Sequence, residues 1–168
     1  MAQPVENFIR KTGVTAGIFN LVLNPFFAWL GNMEMADVPL VGAAAVDTAI
    51  TCMVMSLLVS LFISADTRRA IRAGGLETAG MPLRGERLLC RLPVRPWKLG
   101  LLLGLAVAVV VTPWLVGLFG IFGVASFSFF AFAALKAVYT PIVAHAVARW
   151  VILRQLEAAT RVCDSPNA

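Results

Sequence analysis

Two opposite charges stand inside apolar stretches of this chain, Asp47 in the run Val41 to Ile63 and Lys136 in the run Ser126 to Trp150. A carboxylate and an ammonium at membrane depth have two chemical uses. They can neutralise each other as a structural ion pair, or they can line a polar cavity that binds a small solute or relays protons. An ammonium at mid-bilayer costs about 2.5–3.5 kcal/mol on the most lenient scale, so Lys136 must face protein or water and have a partner. Around the two charges the sequence sets a group of polar residues: Asn20, Asn24, Thr51, Thr112 and Thr140. Counted from the outer ends of their helices, Asn20, Asn24, Asp47, Thr112 and Lys136 fall within about 6 Å of one another in depth, which a lysine stem can span, and Thr51 and Thr140 lie one turn beyond the two charges. The expected cluster is therefore Asn20, Asn24, Asp47, Thr51, Thr112, Lys136 and Thr140, with the asparagines bridging the charges. His145 lies nine residues beyond Lys136, half a turn out of phase, and belongs to another face as a packed or interfacial histidine.

Common enzyme chemistry finds no footing. The chain has no G-x-S-x-G elbow, no H-E-x-x-H, no Walker loop and no G-x-G-x-x-G. An intramembrane enzyme using Lys136 or His145 is the remaining catalytic alternative. One histidine without an acidic or cysteine cluster does not meet the ligand count of a zinc or haem site, so no cofactor is expected. Cys52, Cys90 and Cys163 form no C-x-x-C pair, and no disulfide is expected.

Composition says what must position these residues. Of 168 residues, 60% are hydrophobic and 14% charged, against about a quarter charged in a soluble globular chain, so residues 1–168 read as one membrane domain. The net charge of +5 comes from basic residues flanking apolar spans, and no nucleic-acid partner is expected. Apolar periodicity predicts an all-α integral membrane protein with helices over about 12–30, 41–63, 99–119 and 126–150. The first span has the basic start of a signal peptide, but it is too long, holds two asparagines and lacks a small-residue cleavage site, which favours a retained helix. Gly13 and Gly17 read as a close-packing face, as do Gly100, Gly104, Ala108 and Thr112 on the third helix. Gly74-Gly75 should end the second helix, Gly120 to Gly123 should turn the chain between the third and fourth, and Arg154, Glu157 and Arg161 should carry the last helix into water.

Residues 64–98 hold eight basic side chains, and thirteen of the fourteen Lys and Arg in the chain fall on one side of the four spans. Both termini and the central loop are therefore expected in the cytoplasm, with the bundle in a bacterial inner (plasma) membrane. Within the loop Arg84, Arg87 and Arg91 share a helical face opposite Leu88, Leu89 and Leu92, suggesting a short interfacial helix. With Arg68, Arg69 and Arg72 they form the candidate contact for anionic lipid, the plain alternative being a topology signal. An internal echo divides the chain into two helical hairpins. Asn24-Pro25 answers Thr112-Pro113 at an offset of 88, and Asp47 with Thr51 answers Lys136 with Thr140 at an offset of 89. The expected roles are a structural or assembly component of a membrane complex, or a small-solute transporter. Four spans make a narrow bundle, so transport would call for a homodimer or another membrane subunit beside the lipid bilayer itself.

Overall fold

The fold is taken from a computed structural model, which describes residues 3–32, 37–77, 89 and 91–164. It is helical, with four helices long and apolar enough to cross a membrane. Helix α1 is Val5–Asn32, α2 is Ala45–Arg72, α3 is Pro96–Ile121 and α4 is Phe129–Asp164. Four short extended pieces accompany them: β1 (Gln3–Pro4), β2 (Asp37–Pro39), β3 (Leu76–Glu77) and β4 (Ser126–Ser128).

Each helix departs from its expected limits for a local reason. Helix α1 begins earlier because Val5, Phe8 and Ile9 recur at helical spacing and join the core beside α2 and α4. Helix α2 begins later, because Leu40–Ala44 forms a kinked wide turn in which Val41 (φ −87°, ψ 115°) and Gly42 (φ 112°, ψ −103°) leave helical geometry. Only glycine takes the Gly42 conformation without strain. Helix α3 opens on Pro96 in its first turn, where a missing N–H costs nothing, and the chain turns past its end with Gly123 at φ 72° and Val124 N–H bonded to Phe119 O. The fourth helix does not start at Ser126. Ser126–Ser128 are extended and pair antiparallel with Asp37–Pro39, centred on Val38 opposite Phe127, so the segments leading into α2 and α4 are stitched together. At the other end β1 pairs with β3, bringing the N-terminal arm beside the exit of α2. Gly74 (φ 63°) ends α2 as expected.

The expected hairpins do not pack as units. Helix α1 packs chiefly on α4 and α3 chiefly on α2, while α2 and α4 meet along the middle and α1 touches α2 only lightly. Bare glycine faces explain the choice. A methyl placed at Gly17 would lie 3.5 Å from Pro141 Cβ, and one at Gly13 would meet the His145 ring. On the other pair, a methyl at Gly100 would lie 2.8 Å from Leu57 Cα and one at Gly104 would lie 3.0 Å from Met53 Cα. Backbones approach where side chains are absent, and in lipid that close contact is what holds helices together. The resulting arrangement repeats: the glycine face of α1 on α4 has the same form as the glycine face of α3 on α2. Both central helices start from the strand pair β2–β4 and run in the same direction.

Candidate functional site

Lys136 sits on the central seam where α4 meets α2, near the end at which both helices begin. It is completely buried, and its ammonium is ion-paired with Asp47 of α2. It also donates to Thr51 Oγ1 at 2.8 Å, one turn further along α2, and lies 5.4 Å over the ring of Phe132, one turn back on its own helix. Two oxygens and an aromatic face thus replace the water that a buried ammonium has lost. Asp47 is different, since its side chain is 22% exposed. It occupies the first turn of α2, directly after the kinked Leu40–Ala44 segment. Its position near a helix N-terminus adds the favourable end of the helix dipole to the lysine charge.

The remaining polar residues take other partners. Asn24 Nδ2 donates to Asn20 O at 3.0 Å and Asn20 Oδ1 at 2.9 Å, and Asn20 Nδ2 donates to Ala16 O at 2.7 Å. The asparagines therefore form a ladder on α1 and do not bridge the charges. Their link to α4 is Thr140, whose hydroxyl donates to Lys136 O at 2.8 Å and lies 3.5 Å from Asn20 O. Thr112 stays apart from the pair, with its hydroxyl buried and without a hydrogen-bond partner among the described residues. The structure brings together Asp47, Thr51 and Lys136, places Thr140, Asn20 and Asn24 behind them, and leaves Thr112 outside. His145 lies on another face, against Gly13 of α1.

Among the expected lipid-contacting arginines, Arg69, Arg72 and Arg91 are exposed, and Arg84 and Arg87 lie outside the described residues together with most of the expected interfacial helix. Arg68 has a different employment. Its Nε donates to Gln155 Oε1 at 3.0 Å and another guanidinium nitrogen donates to Val94 O at 3.1 Å. Gln155 donates in turn to Ser64 Oγ at 3.2 Å. Arg154 donates to Leu92 O at 2.8 Å and forms an ion pair with Glu157 at 3.5 Å. The extension of α4 is consequently buried where solvent exposure was expected, for Arg154, Gln155, Leu156 and Glu157 are all at most 6% exposed. Pro93 and Pro96 interrupt the backbone here and leave the carbonyls of Leu92 and Val94 without helical donors, which these side chains replace.

Phe132 and the Arg68–Gln155 network were not among the sequence candidates. Phe132 was detectable in principle, being four residues before Lys136 and so its neighbour on the helix face. Gln155 carried no such signal, because its partners lie in a proline-broken segment far away in sequence. Among the described residues no group of three or more His, Cys, Asp or Glu is placed to hold a metal ion. Comparison with protein-family profiles, with curated proteins and with solved structures finds no match.

Proposed function

We propose that this chain is a structural subunit of a membrane assembly, in which the Lys136–Asp47 pair is an internal lock that sets which helix lies beside which. The supporting observation is the complete burial of Lys136 with Asp47, Thr51 and Phe132 as its neighbours, all from the same chain. A buried charge satisfied by its own fold serves specificity of packing, and a polar residue fixing register is the best attested use of such groups. In this reading α2 and α4 run side by side in the same direction, both termini and the basic link face the cytoplasm of a bacterial inner membrane, and the strand pair β2–β4 faces away from it.

A second reading, passage of a small solute or of protons, draws on Asp47. Its carboxylate is partly exposed and sits one step below non-helical backbone at Val41 and Gly42, and irregular backbone at membrane depth belongs where it lines protein or water. The experiment compares the wild type with the double variant Asp47→Leu, Lys136→Met, reconstituted in liposomes loaded with a pH-sensitive dye. The structural reading expects dye signals at the protein-free background for both, and a folded double variant, since whole buried pairs can be replaced by apolar groups. Proton flux in the wild type that disappears in the double variant would overturn it in favour of the second reading.

A further inference from the structure

At the basic end of the molecule α1 and α4 diverge around a cleft of about 300 Å³ lined by Glu6, Ile9, Arg10, His145, Arg149 and Leu153. Arg10 and Arg149 are exposed and enter from opposite helices, and neither has an ion-pair partner among the described residues. Two guanidiniums against the single carboxylate of Glu6 leave the lining of this cleft with a net positive charge, and each offers a planar fork of donors suited to phosphate oxygens. The depth is that of a membrane interface, with Trp150 next to Arg149 at the end of the apolar run.

His145 also lines a second, apolar groove of about 440 Å³ that continues along the α1–α4 seam towards the bilayer interior, past Gly13, Gly17, Ile18, Pro141 and Ile142. The groove runs beside the close contact of Gly13 and Gly17 with His145 and Pro141, and its rim is made of half-exposed residues such as Val14 and Ile18. A positively charged cleft beside an apolar groove, the two sharing His145, has the chemistry of one ligand class. A free anion would fill only the first part, and a neutral hydrocarbon only the second.

We infer that this seam is a binding site for a single anionic phospholipid. Its phosphate lies between Arg10 and Arg149, its headgroup hydroxyls reach Glu6, and an acyl chain lies in the groove beside Gly13 and Gly17. The inference uses only the four membrane-crossing helices and stands whether or not the Lys136–Asp47 pair is a lock. It also differs from the cluster of Arg69, Arg72 and Arg91, which offers charge at the same end without a groove.

The test is native mass spectrometry of the full chain in detergent, with added phosphatidylglycerol, phosphatidylcholine of the same chains, or inorganic phosphate. The wild type should retain one phosphatidylglycerol in preference to phosphatidylcholine. Arg10→Gln with Arg149→Gln should cut that preference by roughly thirtyfold, the effect of two arginines at a charged membrane surface. Both side chains are exposed, so the variant should melt like the wild type. Arg69→Gln with Arg72→Gln should leave the preference within about threefold of the wild type, retaining the two cleft arginines. Val14→Phe, which fills the groove from its exposed rim, should weaken phosphatidylglycerol with the arginines intact. An unchanged preference in the Arg10/Arg149 variant, an equal loss in the Arg69/Arg72 variant, or displacement of the lipid by equimolar inorganic phosphate would each overturn the site.

Discussion

Lys136 exchanges water for one carboxylate, one hydroxyl and one aromatic face, and its stability depends on all of them being supplied by the fold. Asp47→Leu leaves the completely buried ammonium uncompensated and should cost roughly 3–5 kcal/mol, whereas Lys136→Met leaves a partly exposed carboxylate and should cost less. Exchanging the residues, Asp47→Lys with Lys136→Asp, should recover part of that loss. Recovery will be incomplete, because the exchanged ammonium leaves the Thr51 hydroxyl and the Phe132 ring that surround it in the native arrangement. Thermal melting of the four proteins in one detergent, read as a double-mutant cycle, checks this, and purely additive effects would show that the residues do not interact. Gln155 permits a second test at the same scale. Gln155→Leu strips Arg68 and Ser64 of a buried partner, and should cost about 1–3 kcal/mol and loosen the Val94 segment, readable as faster amide exchange there.

Among elements, glycine position decides which helices meet. Gly100→Ala places a methyl against the backbone of α2, which cannot yield, and should destabilise by about 1–3 kcal/mol. Gly17→Ala meets Pro141 at ordinary contact distance and should change the melting temperature little, so the two substitutions form a matched pair for one measurement. The number of spanning helices, their glycine faces and the charged residues at depth were legible in the sequence because each follows from apolar length, spacing and the cost of burying charge. Partner choice was not. Helix α1 reads equally well as a neighbour of α2, its successor in the chain, until the Gly13 and Gly17 face is matched to His145 and Pro141. The asparagines illustrate the same limit: depth set them level with Lys136, but only the azimuth of α1 sends their amides along their own helix. Likewise hydropathy carries the fourth span through Ser126, and pairing with Asp37–Pro39 overrides it.

For the molecule as a whole, orientation is the property on which every statement of depth rests. Reporter fusions after Gly75 and after Ala168 should give a cytoplasmic signal, and one at Asp37 an external signal, because thirteen of the fourteen basic residues lie on one side. An external signal from the central link would reverse the assignment. The packing of α4 on both α1 and α2 also sets an order of events. The chain is made from its N-terminus, and Lys136 follows Asp47 by 89 residues. At roughly 5–20 residues per second the carboxylate leaves the ribosome some 4–18 s before its counter-charge exists. During that interval α1 lacks its main neighbour as well, and Asp47, partly exposed at the start of α2, waits without its counter-charge. Helix α4 is therefore the keystone of biogenesis: its arrival completes the seam with α1, the seam with α2 and the neutralisation of Asp47 in a single step.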